Sequence, residues 1–155
     1  MAVKKIIDSQ FALGNAQAIL LPINVGGEYL CPVADTEKYS KEREEAVTRI
    51  QRHLATVGDI ITVECTSAKN TKYWVMFAII AQDRTTHPSI EAVVFSVLVQ
   101  HLKTLEINSC ALPNLSQIQG SFTTPEIIAR LEAFLAFEFD KPGASRAPLV
   151  LYHIN

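Results

Sequence analysis

The chain lacks most of the features by which nucleic-acid binders, membrane proteins and familiar hydrolases are recognised. Its 14 Lys and Arg residues against 16 Asp and Glu give a formal net charge of −2, and no cationic cluster is dense enough to follow a phosphate backbone. That leaves no footprint for duplex nucleic acid. The cations Lys38, Lys41, Arg43, Arg49 and Arg52 are interleaved with Glu37, Glu42, Glu44 and Glu45, the mixture of a solvated helix face. Cysteine is scarce. Cys31, Cys65 and Cys110 are widely spaced without a CxxC, and Cys65 and Cys110 lie in apolar runs as small buried hydrophobes rather than reactive or metal-binding thiols. The longest uninterrupted apolar run, residues 74–81, is too short to span a membrane. The first residues lack the apolar stretch of a signal peptide, so a soluble, reducing, cytoplasmic home is expected.

Catalytic signatures are missing as well. There is no GxSxG, P-loop, GxGxxG or HExxH. Asp83 and Arg84 are neighbours in a polar loop, where adjacent opposite charges read as a surface ion pair. His53 and His101 fall on helices, and His153 in a strand has no Cys, Asp or His at metal-ligand spacing. No catalytic residue, metal or cofactor is assigned.

What is present is a well-ordered alternation. With 155 residues, 48% of them hydrophobic and 19% charged, the chain is expected to form one domain over residues 1–155 with a sizeable core. Strands are expected at residues 3–8, 17–23, 59–65, 73–81, 107–112 and 148–154. The run at 73–81 is apolar on both faces, as suits the middle of a covered sheet. Helical periodicity begins near Thr36, with Val47, Ile50, Leu54 and Val57 on one stripe and Gly58 as the stop. It returns after Pro88, with Ile90, Val93, Val94, Val97, Leu98, Leu102 and Leu105 on one broad face. It returns again over about 124–137, with Ile127, Ile128, Leu131, Phe134 and Leu135 facing inward. The pattern is that of a three-layer α/β/α domain with ligands beyond the carboxyl ends of its strands.

Two loops are candidates for such a ligand. One is Pro22-Ile23-Asn24-Val25-Gly26-Gly27, where Asn24 is suited to hydrogen-bond a sugar, and Gly26 and Gly27 let the backbone come close. The other follows the strand ending at Leu112 and comprises Ser116, Gln117, Ile118, Gln119, Gly120, Ser121 and Phe122. A helix opens directly after it, with Thr123 or Thr124 as N-cap, Pro125 in the first turn and Glu126 at capping-box spacing from Thr123. The amides and dipole at such a junction suit a phosphate or diphosphate. Asp8, at the end of the first strand, is placed to accept a hydrogen bond from a base amine.

In this order the elements resemble a macro domain, the ADP-ribose-binding module. The nearest branch holds terminal ADP-ribose protein glycohydrolase and the antitoxin that reverses DNA ADP-ribosylation. The resemblance covers most of the chain and rests on order and spacing more than on identities. It implies a mixed sheet flanked by helices, with adenine at Asp8, the distal ribose at Asn24 after Ala18-Ile19-Leu20-Leu21-Pro22-Ile23, and diphosphate in the loop from Leu112 to Gly120. Phe122 would pack near the ribose. The first loop reads Val25-Gly26-Gly27-Glu28-Tyr29, so Glu28 brings negative charge toward a diphosphate. The Lys and Asp that carry hydrolysis in that branch are not evident in Gln82-Asp83-Arg84 or Gln119-Gly120-Ser121. The expectation is therefore an ADP-ribose or related nucleotide binder without turnover. The alternatives are a protein-interaction module that kept the fold and lost the pocket, and an ADP-ribosyl glycohydrolase or ADP-ribose-1″-phosphate phosphatase.

Overall fold

A computed structural model describes residues 3–7, 17–30, 39–66, 69–83, 104–112, 129, 133 and 149–153. Six strands form one sheet: β1 (Val3–Ile7), β2 (Ala18–Asn24), β3 (Ile60–Thr66), β4 (Lys72–Ala81), β5 (Ser109–Leu112) and β6 (Leu149–His153). Their order is β1-β6-β5-β2-β4-β3. All neighbours are parallel except β3, which runs antiparallel to β4 at the edge. The sheet is mixed, as expected.

The central strands are apolar because both of their faces are covered. Ala18, Ile19, Leu20, Leu21 and Ile23 of β2, and every residue of β4 from Val75 to Ala81, are buried. Each fully buried large side chain, such as Phe77 or Ile79, contributes about 1.5–3 kcal/mol. One face packs beneath α1 (Ser40–His53), where Ala46 and Ile50 meet Ile19, Leu21, Ile23, Val63, Val75, Phe77 and Ile79. Leu20, Met76, Ala78, Ile80 and Cys110 are buried as well. Alternation along the strands puts the first four on the opposite face, so that face too is covered. Ala129 and Ala133, four apart and both exposed, are helical. No helix among the described residues is long and apolar enough to cross a membrane.

Helix α1 is shorter than its periodicity suggested. It stops at His53, and Leu54 caps it in a left-handed conformation at φ 51° and ψ 42°. Leu54 was expected on the buried stripe and is instead 86% exposed. The reason is geometric: a left-handed residue turns the chain out of the helix, carrying its side chain off the stripe. Val57, also expected on that stripe, reaches the core from the loop beyond the helix. The remaining strands agree with their sequence expectations to within one or two residues. The helices expected after Pro88 and over 124–137 lie largely outside the described residues.

Strands β2 and β5 are fastened at one end and part at the other. At the amino end, Gln17 N–H donates to Ser109 Oγ at 2.8 Å, and Gln17 Oε1 accepts from Asn108 N–H at 2.6 Å. The strands then pair only at Ala18–Cys110 and Ile19–Ala111. Three positions later comes Pro22, which has no N–H to give to a neighbour on that flank.

Leu54 is solvent-exposed and held where glycine is favoured. Leu54→Gly should therefore raise unfolding stability by about 0.5–1 kcal/mol in denaturant titration. A loss of stability would show that the exposed leucine makes a contact worth more than its backbone strain.

Candidate functional site

The strand registers define a step at the carboxyl edge of the sheet. Ile7, His153 and Leu112 lie in one row across β1, β6 and β5. Ala111 is level with Ile19, so this row meets β2 at Leu20. Strand β2 continues four residues further to Asn24, a rise of about 13 Å at 3.3 Å per residue. The chain leaves β2 toward β3 and β4 and leaves β5 toward β6, so β2 and β5 are the pair at which the strand order reverses. In open α/β sheets, a crevice beyond the strand ends forms at that pair.

The wall of the step is a hairpin. Beyond Asn24 the chain turns through Val25, Gly26 and Gly27 and returns beside β2, with Tyr29 bridged to Ile23 and Leu30 N–H donating to Pro22 O at 3.1 Å. The opposite flank of β2 is already taken by β4, and Val25 N–H reaches Ala81 O there at 3.1 Å. The return segment therefore lies on the flank that β5 has vacated. A three-residue loop with a left-handed last residue is a favoured hairpin turn, and Gly27 has φ 86°. A Cβ on Gly27 would lie 2.3 Å from Val47 Cγ2 on α1. Glycine thus has a structural reason at this position, independent of any ligand.

Asn24 is the buried polar residue of this turn, 1% exposed. Its backbone N–H donates to Glu28 O at 3.0 Å, and its backbone oxygen accepts from Gly27 N–H at 2.9 Å. Its side-chain Oδ1 accepts from Glu28 N–H at 3.0 Å, and its Nδ2 donates to Glu28 Oε1 at 3.2 Å. The amide is satisfied within its own loop, as burial requires. Gly26 is exposed at the tip, where a Cβ would come within 3.3 Å of Asn24 Oδ1.

Arg43 braces the hairpin from below. Its Nη1 donates to Gly27 O at 3.2 Å, and its guanidinium lies 5.7 Å from the Tyr29 ring centroid. Arg49, further along α1, donates to Thr62 O at 2.7 Å. The charge pattern had suggested a solvated face for both, yet both are half-buried. The missed signal was spacing, since Tyr39, Arg43, Ala46 and Ile50 recur on one helical stripe. Tyr29 packs against the core cluster beneath α1.

The two described thiols, Cys65 and Cys110, are both pushed toward their protonated form. Burial pushes the Cys110 thiol up to about 12. Burial first, and then the Glu42 carboxylate, push Cys65 up to about 11, and its Sγ lies 3.7 Å from Glu42 Oε1. Cys65 is half-buried, more exposed than the sequence implied. Among the described residues no group of three or more His, Cys, Asp or Glu is arranged to hold a metal ion.

Of the expected site residues, Asn24, Gly26 and Gly27 are brought together at the wall. Asp8, Ser116, Gln117, Ile118, Gln119, Gly120, Ser121 and Phe122 lie outside the described residues. The strands that lead to them do not: β1 ends one residue before Asp8, and β5 ends at Leu112. Ile7 lies three strand spacings from β2, or about 14 Å along the edge.

These features define a covered α/β module whose mixed sheet has its switch point between β2 and β5. No protein-family model and no curated protein matches the sequence. Solved structures match it in shape. The macrodomain of Thermus aquaticus DarG aligns with a TM-score of 0.71 at 13% identity, covering 99% of this chain and 97% of that one. The macrodomain of Mycobacterium tuberculosis DarG gives 0.68 at 14% identity, with 97% and 96% covered. Thermosipho africanus DarTG in complex with ADP-ribose gives 0.68 at 12% identity, covering 98% of this chain and 42% of that chain. The fold of this chain is that of the macrodomains.

Replacing Asn24 by Asp sets a carboxylate against Glu28 in a buried turn. The variant should lose about 1–3 kcal/mol at pH 7. Mutual repulsion raises the carboxyl pKa in the folded state, so the deficit should shrink as pH falls through that value toward 4. A deficit in thermal melts that is equal at both pH values would contradict this arrangement.

A Cβ on Gly27 meets both the left-handed backbone and Val47. Gly27→Ala should cost about 2–4 kcal/mol in chemical denaturation, and adding Val47→Ala should relieve only the steric part.

Proposed function

We propose that this chain binds ADP-ribose or a related nucleotide along the stepped carboxyl edge, without turning it over. The observation that carries the reading is the order of the strands. The segments expected to hold adenine, diphosphate and distal ribose follow β1, β5 and β2 respectively. In the sheet these strands stand in that same sequence, with only β6 between the first two. A ligand touching both ends must cover about 14 Å sideways and climb toward a wall about 13 Å high. A mononucleotide spans only part of that path, and a dinucleotide-length ligand suits it. The structure of DarTG in complex with ADP-ribose, part of which shares this fold, supports the choice.

Binding is favoured over hydrolysis by what Asn24 does. Its amide oxygen accepts from Glu28 N–H and its nitrogen donates to Glu28 Oε1, so the side chain is committed first to holding the turn. The Lys and Asp of the glycohydrolase branch have no evident counterpart in the sequence. Binding is favoured over a plugged interaction module by Tyr29, one of the side chains able to fill the crevice, which is turned into the core beneath α1.

Calorimetric titration and thermal-shift measurements with ADP-ribose should show saturable binding, tighter than for AMP or ribose 5-phosphate alone. No ADP-ribose should be released from modified protein or DNA. Absence of both heat and thermal shift at millimolar ADP-ribose would defeat the proposal.

A further inference from the structure

We propose that Arg49 keeps the outer edge of β3 from pairing with the same edge of a second copy of this chain. Strand β3 stands at the end of the sheet, and among the described residues β4 is the one strand paired with it. Its sequence, Ile60-Ile61-Thr62-Val63-Glu64-Cys65-Thr66, has five β-branched residues in seven and a single charge. An edge of that composition readily templates another strand.

The ladder fixes which backbone groups face outward. Ile79 N–H donates to Asp59 O at 3.0 Å, so Asp59 turns its carbonyl toward β4. In an antiparallel pair alternate residues do the same, here Ile61, Val63 and Cys65. Ile60, Thr62, Glu64 and Thr66 therefore direct their N–H and C=O groups away from β4. Arg49 Nη1 donates to Thr62 O, one of these outward carbonyls, at 2.7 Å. Its Nη2 is held by Glu45 Oε1 at 2.9 Å, one turn back on α1. The guanidinium is thus anchored from the helix near the middle of the strand, and an incoming strand must displace it. Glu64 and Thr66, beyond the guanidinium, are exposed.

The occupant this edge fits is its own copy. A two-fold axis beside Val63 sets Ile60 opposite the second copy's Thr66, and Thr62 opposite its Glu64. All four outward residues then become hydrogen-bonded pairs at once. Glu64 faces a threonine and not its own equivalent, so no like charges are directly opposed. Composition and register both favour the pairing, and the cation laid on Thr62 O opposes it.

Arg49→Met keeps the apolar stem and removes the donor. Sedimentation velocity over a roughly hundredfold range of concentration should find the unmodified protein at constant mass, with Arg49→Met rising toward about twice that mass. Arg49→Gln, polar but too short to reach Thr62 O, should associate likewise, so the test survives a methionine variant that fails to fold. Arg49→Lys, which retains a cation and a donor, should stay at constant mass. Adding Glu64→Pro to either associating variant removes an outward N–H, spares the ladder to β4, and should return the mass to that of the unmodified protein. Amide exchange gives a second readout: Glu64 N–H should slow with rising concentration in the associating variants and not in the unmodified protein. Constant mass in both Arg49→Met and Arg49→Gln, or association that survives Glu64→Pro, overturns the proposal. Association of the unmodified protein that Glu64→Pro abolishes overturns it too, because the edge would then pair with Arg49 in place.

Discussion

The parting of β2 from β5 is the constraint on which the rest of the molecule depends. The strands are fastened at their amino ends by Gln17, which engages Asn108 and Ser109 through its side chain and backbone. They separate because β5 is short and because Pro22 offers no N–H on the flank where β5 would continue. A strand in mid-sheet cannot leave its polar groups bare without a cost comparable to lost hydrogen bonds. The hairpin answers that need, with Leu30 and Glu28 serving the edge that β5 leaves open. The same segment thus completes the backbone hydrogen bonding of β2 and forms the wall of the step.

The hairpin in turn depends on helix α1. Gly27 can take its left-handed conformation only if nothing projects toward Val47, and Arg43 ties the carbonyl of that glycine to the helix. Asn24 locks the turn from the other side through four hydrogen bonds shared with Gly27 and Glu28. Buried polar groups satisfied in this way specify one conformation more than they add net stability. The wall is consequently a preorganised surface, which lowers the entropic cost of receiving a ligand.

Much of this architecture was legible in the residues. Apolar runs located every strand of the sheet, and the doubly apolar stretch 73–81 correctly indicated a covered strand. Strand ends carrying Asn24 and leading to Asp8 and Ser116 pointed to the carboxyl edge. The details that failed to show were those set by tertiary contacts. Leu54 fits an amphipathic stripe, and nothing local reveals that the chain has already turned outward. Arg43 looks like a solvated cation until the returning loop supplies a carbonyl and a ring. Asn24 was legible as a polar residue ending an apolar strand. Its commitment to Glu28 became visible only once the loop was closed, because the two are partners through a turn whose shape no periodicity encodes.

The pairing of β1 with β6 bears on how the molecule is made. Val3 lies opposite Leu149, and among the described residues β6 is the one strand paired with β1. β1 must therefore wait for a strand 146 residues further along the chain (149 − 3), and contacts so distant in sequence make for slow folding. Until then the nascent sheet presents β6's future position as an open edge, a stretch suited to holding by a chaperone. The carboxyl edge cannot reach its described length before that closure, so the row of Ile7, His153 and Leu112 belongs to the completed sheet.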